Sequence, residues 1–230
     1  MKNHRSLLIA GTDTDAGKTV FTTALAAYWQ KVYPQCPLGI IKPIQSGTGD
    51  RELYQRLFHL DQSLEELNPV HFQAPLAPPL AAELEGASIN LAAVWQAYSS
   101  LKERKSLVLV EALGGLGSPI TRELTVADLA RDWRLPTVLV VPVKLGAIGQ
   151  AVANVALARQ AGVNLKGIIL NCVNPCSQSD VAQWTPQDLI EFLTKIPVCG
   201  VLPHLNSREN LEELVTVTAN LDLEFLLSLT

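Results

Sequence analysis

The sequence lacks several features that would point to particular partners or compartments. It has no apolar run near the roughly 20 residues that a membrane-spanning helix needs, so we expect no membrane segment. It has no basic excess, with 18 lysines and arginines against 22 acidic residues, whereas nucleic-acid binders usually show a basic stripe. Its four cysteines include no C-x-x-C pair, which favours a reducing, cytoplasmic setting over a disulfide framework.

The chain is long and apolar enough to fold around a sizeable core. Hydrophobic residues make up 48% of its 230 positions, so neither a metal nor a disulfide is needed for stability. The first apolar run, at 7–10, ends at once in Gly-Thr-Asp. It is too short for the apolar region of a signal peptide, and we interpret it as a first strand.

Short apolar runs alternate with longer helical patterns along the whole sequence. The runs predict strands at 7–10, 38–42, 107–110, 137–143, 167–171 and 198–202. The patterns between them predict helices at 18–32, 51–60, 91–102, 126–131, 148–161, 186–195 and 211–217. In the helix at 186–195, Thr185 is the predicted cap and Pro186 the first helical residue.

This alternation predicts an α/β fold with a doubly wound, mostly parallel sheet flanked by helices. The segment 68–79 contains four prolines and few charges, and we expect it to be an ordered surface loop between helices. No repeat, low-complexity tract or linker divides the sequence. We therefore expect residues 1–230 to form a single domain.

The most informative segment is Gly11-Thr-Asp-Thr-Asp-Ala-Gly-Lys-Thr19, which lies between a predicted strand and a predicted helix. Its backbone N–H groups and the positive end of the helix can cradle phosphate oxygens. Lys18 would reach the outer phosphates, and the Thr19 hydroxyl would bind Mg²⁺. The usual loop has four residues between its first Gly and Gly-Lys-Thr; five stand here, so Thr12 occupies the place of that first glycine. The segment predicts an ATP site and makes the expected fold P-loop NTPase-like.

Acidic and basic residues at the ends of other predicted strands would meet the same site, because carboxyl ends of parallel strands form the ligand crevice. Lys42 would neutralise a transferring phosphoryl group or an anionic substrate; alternatively it is solvated before a turn. Glu111 ends an apolar strand, as a Walker-B acid that holds Mg²⁺ does. Gly114 opens a run where backbone can approach phosphates.

Asp50 is either a second oxygen ligand or a helix cap. Asp13 and Asp15, inside the phosphate loop, approach the metal or substrate or cap the helix.

Weaker signals lie further along the sequence. Asn171 ends a predicted strand, where an amide could read a base edge or simply form a turn. Lys144 also ends a predicted strand, a crevice position, or is solvated. Pro203-His204-Leu205 follows the last predicted strand and could line an adenine pocket. Cys172 and Cys176 with His204 would make a poor zinc site, so we expect none there.

Together these segments resemble the dethiobiotin synthetase family. The matching motifs are Gly11-Thr-Asp-Thr-x-x-Gly-Lys-Thr19, Lys42-Pro-x-x-Ser46-Gly, Val110-Glu111, Val143-Lys144-Leu-Gly146 and Asn171, and they span nearly the whole chain. The resemblance implies an ATP- and Mg²⁺-dependent cyclo-ligase of biotin biosynthesis. Such an enzyme closes the ureido ring of dethiobiotin from 7,8-diaminononanoate and CO₂, releasing ADP and phosphate. The resemblance also implies a cytoplasmic homodimer that acts on small molecules.

The resemblance assigns roles to individual positions. It implies that Thr19, Asp50 and Glu111 hold Mg²⁺, and that Lys42 and Lys18 are catalytic. It places Thr14, Ser46 and Lys42 against the substrate. The residues that it places around ATP are Asp15, Ala16, Gly17, Lys18, Thr19, Val20, Asp50, Glu111, Ala112, Leu113, Gly114, Asn171, Cys172, Pro203, His204, Leu205 and Glu209.

The sequence departs from the family pattern at two places. Ala112 and Leu113 replace a Gly-Ala pair, and the loss of that glycine is tolerable only if the backbone there has a negative φ. Gly149 stands where the family often has an asparagine that helps bind the substrate carboxylate across the dimer interface. We therefore expect backbone N–H groups of the following helix to serve instead.

An alternative function is a nucleotide-dependent switch of the partition or septum-placing ATPase type, which has the same expected fold. Those proteins carry an extra signature lysine in the phosphate loop, where this sequence has Asp13. The ATP-dependent amidotransferases that make cobyrinate diamides add a glutaminase domain, for which 230 residues leave no room. A kinase is also disfavoured, because no arginine-rich lid or H-R-D-type loop is found.

Overall fold

The computed structural model describes residues 5–227. In that range the strands are β1 (Arg5–Gly11), β2 (Leu38–Ile41), β3 (Ile44–Ser46), β4 (Val70–Phe72), β5 (Leu107–Gly115), β6 (Thr137–Pro142), β7 (Leu165–Asn171) and β8 (Val198–Leu202). The helices are α1 (Lys18–Val32), α2 (Asp50–Leu57), α3 (Leu64–Leu67), α4 (Pro78–Leu84), α5 (Leu91–Arg104), α6 (Val126–Asp132), α7 (Ala147–Ala161), α8 (Gln178–Trp184), α9 (Gln187–Thr194), α10 (Leu211–Thr218) and α11 (Leu223–Leu227). None of these helices has the length and apolarity that crossing a membrane requires.

The central sheet has six strands in the order β2-β5-β1-β6-β7-β8, and every neighbouring pair is parallel. These are the six strands predicted from the apolar runs, so the predicted doubly wound sheet is confirmed. A second, two-stranded sheet pairs β3 with β4. The sequence pattern did not indicate this small sheet, since three residues are too few to show a period.

Both faces of the sheet are covered, which explains the near-continuous apolar runs. Leu7 and Ile9 of β1 pack with α1, α10 and α11 on one face, while Leu8 and Ala10 pack with α4, α5 and α6 on the other. A third cluster joins β6 and β7 to α7 and Ile190 of α9. Alternate residues of one strand thus stabilise opposite layers.

Two local predictions were wrong. The proline-rich segment 68–79 is not only a loop, because it contains β4 and the first turn of α4, where Pro78 is tolerated as the first helical residue. Pro186 is the N-cap of α9 and not its first helical residue. Thr185 is the C-cap of α8, and its hydroxyl donates to the Val181 carbonyl.

The sheet topology brings three connections to one edge. The loops after β1, β2 and β5 all leave the carboxyl ends of adjacent parallel strands. In open α/β sheets this edge is where ligands bind. The phosphate loop, Lys42 and Glu111 all lie on these three connections or strands.

Candidate active site

The phosphate loop connects β1 to α1 and is held by its own lysine. The Nζ of Lys18 donates to the carbonyl oxygens of Asp13 at 3.0 Å and Thr14 at 2.9 Å. Gly17, the N-cap of α1, has a φ of 91°, a left-handed conformation that favours glycine. A Cβ there would lie 1.9 Å from Nδ2 of Asn171. The loop therefore presents backbone N–H groups and the N-terminus of a helix of 15 residues to the crevice.

Lys42 lies between two carboxylates. Its Nζ is 2.6 Å from Oε1 of Glu111 and 2.5 Å from Oδ2 of Asp50. Lys42 and Glu111 are buried, and Asp50 is partly buried. The alternative of a solvated lysine is thus wrong for this structure. The helix-cap alternative for Asp50 is also wrong, because Gly49 is the N-cap of α2 and the Asp50 side chain contacts Lys42 and Thr19.

The Thr19 hydroxyl completes this group. Its Oγ1 lies 2.9 Å from Oδ1 of Asp50 and 3.0 Å from Oε1 of Glu111. One hydroxyl and two carboxylates supply hard oxygen atoms at one point, which is the donor chemistry that Mg²⁺ prefers alongside phosphate oxygens and water. The three residues predicted to hold Mg²⁺ are therefore neighbours and fit that ion. Within residues 5–227 no cluster of three or more His, Cys, Asp and Glu side chains forms a self-sufficient metal site.

Attraction between opposite charges determines the protonation states of Lys42 and Asp50. Burial alone disfavours the Lys42 ammonium, but the negative charges of Glu111 and Asp50 outweigh it and raise the pKa of Lys42 above 10.5. Burial likewise disfavours the Asp50 carboxylate, yet attraction and hydrogen bonding from Lys42 hold the pKa of Asp50 below its usual range. Lys42 is therefore charged and Asp50 ionised at neutral pH.

Lys18 lies in a different electrostatic environment. Burial, and then repulsion from Lys42, lower the pKa of Lys18 to about 8, against the opposing attraction of Glu111, Asp50 and Asp15. Lys18 is thus neutralised more easily than Lys42. An anionic ligand in the loop would favour its charged form.

One residue of the site was missed from the sequence. Tyr54, on α2, is fully buried, and its hydroxyl donates a hydrogen bond to Oε2 of Glu111. Burial, reinforced by the charge of Glu111, raises the pKa of Tyr54 well above its ordinary value, so the phenol keeps its proton. The available signal was the four-residue spacing from Asp50, which places both side chains on one face of α2.

Most of the predicted residues line one cavity of about 760 Å³ above the phosphate loop. Among its lining residues are Thr14, Asp15, Gly17, Lys18, Thr19, Val20, Lys42, Ser46, Asp50, Leu113 and Gly114. Arg208, which the sequence reading did not single out, also lines it. The Ser46 hydroxyl oxygen is buried and has no hydrogen-bond partner in the part of the chain that the structure describes. This cavity brings the predicted nucleotide, metal and substrate residues together.

The remaining predicted residues do not line this cavity, and the contacts of several of them are known. Asn171 is buried and donates its Nδ2 to the Ala16 carbonyl at 2.9 Å, so its amide supports the loop. Nδ1 of His204 lies 3.0 Å from the Val173 carbonyl. Glu209 forms an ion pair with Arg56 of α2 at 2.5 Å. Not among the cavity's lining residues are Ala16, Glu111, Ala112, Asn171, Cys172, Pro203, His204, Leu205 and Glu209.

Comparison with known proteins identifies the family. A family model described as an AAA domain matches residues 5–211. The protein named ATP-dependent dethiobiotin synthetase BioD of Gloeothece citriformis (strain PCC 7424) is 56% identical over 224 residues, 97% of this chain and 99% of its own. The protein of that name in Bacillus subtilis (strain 168) is 30% identical over 207 residues, 87% and 88% of the two chains. The chain belongs to the dethiobiotin synthetase family.

Solved structures confirm the expected fold of this dethiobiotin synthetase family member. A ParA family ATPase from Chlorobium tepidum TLS has a TM-score of 0.58 at 14% identity, covering 98% of this chain and 97% of that one. The MinD cell division protein of Aquifex aeolicus has a TM-score of 0.56 at 15% identity, covering 93% and 86%. At such identities the likeness is one of fold alone.

The structure also explains one departure from the dethiobiotin synthetase pattern. Ala112 lies within β5 and is not among the residues with positive φ, so the condition for losing a glycine there is met. The left-handed backbone conformation lies instead at Gly114, which has a φ of 52°.

Gly149, the second departure, lies in the first turn of α7, and a Cβ on it would meet nothing within 4 Å. A side chain at position 149 would therefore be accommodated without strain.

Proposed function

We propose that this chain uses Mg²⁺ and ATP to join CO₂ to 7,8-diaminononanoate and close the ureido ring of dethiobiotin. The observation that carries the proposal is the contact of Lys42 with both Glu111 and Asp50, beside the Thr19 hydroxyl and the loop of Lys18. Phosphoryl transfer needs positioned cations and oxygen ligands more than it needs a protein nucleophile. The family relationship supports this reaction among those that such a site can perform.

The reaction divides into three steps that balance without a protein nucleophile. One substrate amine adds to CO₂ and loses a proton, forming a carbamate. A carbamate oxygen then attacks the γ-phosphorus of ATP, and ADP leaves. The second amine attacks the carbonyl carbon of the mixed anhydride, the carbon–oxygen bond to phosphate breaks, the departing phosphate takes up the amine's proton, and the ring closes. Lys18 and Lys42 stabilise the negative charge that develops on the transferred group.

Each group in the cavity has a task in this scheme. Backbone N–H groups of the phosphate loop bind and orient the triphosphate. Thr19, Asp50 and Glu111 would hold Mg²⁺, which supplies charge neutralisation on the phosphate oxygens when bound. Thr14, Lys42 and the buried Ser46 hydroxyl, which has no hydrogen-bond partner among residues 5–227, would orient the diamine and its carbamate. Enforced proximity of this kind contributes a large part of the rate.

Cys172, which the family resemblance places beside ATP, does not offer a competing covalent route. Cys172 is buried, and burial together with its neighbour Cys176 raises the pKa of the Cys172 thiol to about 12. At neutral pH it is therefore a protonated, weakly nucleophilic group. This supports the substrate carbamate as the attacking group.

We further propose that the protein works as a cytoplasmic homodimer. The side chain of Leu145, in the loop before α7, is 86% exposed, and it adjoins Gly149, where the family resemblance expects the substrate carboxylate to meet the partner subunit. A single exposed leucine is ordinary on a protein surface, so the homodimer is proposed from the family resemblance, and position 145 is used to test it. Light scattering on the purified chain, compared with Leu145→Glu, tests this: a dimer in the first and a monomer in the second supports it.

The reaction is tested by measuring phosphate release from Mg-ATP with and without 7,8-diaminononanoate and bicarbonate. Release that needs both additions, with dethiobiotin formed in equal amount, supports the proposal. Lys18→Ala is the inactive control, and Lys31→Ala, on the exposed end of the same helix, should match the wild type. Release that ignores the diamine favours the nucleotide-dependent switch, and ATP binding without any release contradicts the proposed ligase.

A further inference from the structure

The buried hydroxyl of Tyr54 touches the acid of the proposed metal site. Tyr54 and Glu111 are both fully buried, and the phenol donates to Oε2 of the carboxylate. The aromatic ring itself packs in the hydrophobic cluster on the face of the sheet that α1 covers, with residues such as Phe21 and Phe58. A phenylalanine would fill the same space, so the hydroxyl needs a separate explanation.

The two oxygens of Glu111 have different partners. Oε1 is 2.6 Å from the Nζ of Lys42 and 3.0 Å from the Thr19 hydroxyl. Oε2 is bonded to Tyr54. A carboxylate that is free to rotate about its last bond would exchange these oxygens. The tyrosine bond removes that freedom and keeps Oε1 turned towards Thr19.

Helix α2 carries this contact and a second one. Asp50, at its first position, bonds Thr19 and Lys42, and Tyr54 follows four residues later on the same face. The start of the helix is held by Glu52, which accepts from the Gly49 N–H, and by Gln45, which accepts from the Arg51 N–H. Helix α2 thus positions the carboxylate of Asp50 directly and orients the carboxylate of Glu111 through Tyr54.

We propose that Tyr54 is a positioning residue that orients Glu111 for divalent-cation binding. The proposal rests on the proposed function, in that Thr19, Asp50 and Glu111 hold Mg²⁺. Groups that hydrogen-bond a metal ligand orient it, and their loss typically lowers metal affinity by about 10- to 100-fold. Tyr54 touches the ligand and not the reacting atoms, so its removal acts on the metal and leaves the phosphate loop intact.

The first test compares Tyr54→Phe with Tyr98→Phe. Tyr98 is also buried, and its hydroxyl donates to Oγ of Ser6 at 3.0 Å, away from the cavity. The affinity for Mn²⁺ in the presence of ADP is measured by electron paramagnetic resonance, and the affinity for ADP alone is measured in EDTA. We expect Tyr54→Phe to weaken Mn²⁺ binding by about tenfold and to leave ADP binding in EDTA unchanged. Tyr98→Phe should change neither.

A second variant covers the case in which Tyr54→Phe folds poorly. Incorporating 4-aminophenylalanine at position 54 keeps an N–H donor on the ring and should restore Mn²⁺ affinity to within about threefold of the wild type. Circular dichroism checks that each variant is folded. The proposal would be overturned if a folded Tyr54→Phe protein bound Mn²⁺ as tightly as the wild type does. It would also be overturned if the folded 4-aminophenylalanine protein bound Mn²⁺ as weakly as Tyr54→Phe is expected to.

The same measurements separate this proposal from the proposed function. A wild type that binds Mn²⁺ with ADP but closes no ring contradicts the proposed reaction, while the comparison of Tyr54→Phe still decides the role of Tyr54. A wild type that binds no Mn²⁺ with ADP overturns both the metal site and the positioning role. A raised Mg²⁺ requirement in Tyr54→Phe, with unchanged KM for the diamine, supports positioning over general damage.

Discussion

The ammonium of Lys42 lies 2.6 Å from Oε1 of Glu111, and both side chains are buried. The same ammonium lies 2.5 Å from Asp50. One buried cation thus pairs with both of the carboxylates that would receive Mg²⁺ with ATP, and leaves a net charge of about −1 on the group. Lys42 therefore holds the two carboxylates together, and under the proposed function it would also offer a positive charge to the reacting group.

Replacing Lys42 should have two effects that can be measured separately. In Lys42→Met the length and apolar stem remain but the charge is lost, so kcat should fall by about 100-fold or more. Two carboxylates are then left without their cation, and the free energy of unfolding should fall by about 3–5 kcal/mol. Turnover assays and urea titrations measure the two effects.

A divalent cation should partly replace the missing ammonium. We expect added MgCl₂ to raise the Tm of Lys42→Met more than that of the wild type, because ligands that bind only the folded state stabilise it. Equal Tm shifts in the two proteins would show that Mg²⁺ does not meet these carboxylates.

The affinity for ADP should depend on pH through Lys18. Its pKa is about 8 in the ligand-free site, lowered by burial and by Lys42 and opposed by Glu111, Asp50 and Asp15. Bound phosphates favour the charged amine, so its pKa is higher in the complex. Above about pH 8 binding must then take up a proton, and affinity should fall by up to about tenfold per pH unit. Calorimetry in EDTA measures this dependence.

Lys18→Met is the control for that titration. It should bind ADP weakly, with an affinity that does not change between about pH 7.5 and 9.5, since no group at position 18 titrates. A wild-type affinity that is equally flat over this range would contradict the assignment of the titration to Lys18. Phosphate groups of ADP titrate at lower pH and do not disturb the comparison.

Asn171 should affect nucleotide binding by supporting the phosphate loop. Its Nδ2 donates to the Ala16 carbonyl, next to the left-handed Gly17. Asn171→Ala leaves that buried carbonyl unpaired, at a cost of about 1–3 kcal/mol. We expect weaker ADP binding by about tenfold, since the free loop must be ordered on binding. Asn220→Ala, which removes a bond from Nδ2 to the Thr216 carbonyl at the end of α10, is the control.

Gly114 and Gly117 should respond differently to alanine. Gly114 has a φ of 52°, and a Cβ there would lie 2.1 Å from Oγ of Ser118. Gly117 has no positive φ, and its Cβ would meet Leu157 at an ordinary 3.4 Å. We expect Gly114→Ala to lower the free energy of unfolding by about 1–3 kcal/mol and to reduce turnover, because strain displaces the end of β5 that lines the cavity. Gly117→Ala should resemble the wild type, and equal effects would refute this account.

Much of the sheet and the phosphate loop could be predicted from the sequence, because both depend on local signals. Each central strand is a short apolar run, and the loop has a fixed spacing before Lys18 and Thr19. The β3–β4 sheet could not be predicted, since Ile44 and Val70 pair across 26 positions without a period that marks either strand.

The interior of the candidate site was only partly predictable for the same reason. Strand-end positions placed Lys42 and Glu111 at one edge of the sheet, but residue spacing cannot tell a solvated lysine from a buried ion pair. Asp50 was ambiguous because acidic residues suit both helix starts and metal sites. Tyr54 was missed because its partner Glu111 lies 57 residues away. Such contacts follow from tertiary packing, not from local pattern.

The proposed function requires that an oxygen of the substrate's own carbamate attacks phosphorus, so that the mixed anhydride forms on the substrate. The most direct measurement runs one turnover of the wild type with bicarbonate labelled with oxygen-18 and determines the label in the released phosphate by mass spectrometry. The account predicts one labelled oxygen in phosphate for each dethiobiotin formed, because the attacking carbamate oxygen stays on phosphorus when the ring closes. Dethiobiotin formed alongside unlabelled phosphate would contradict it.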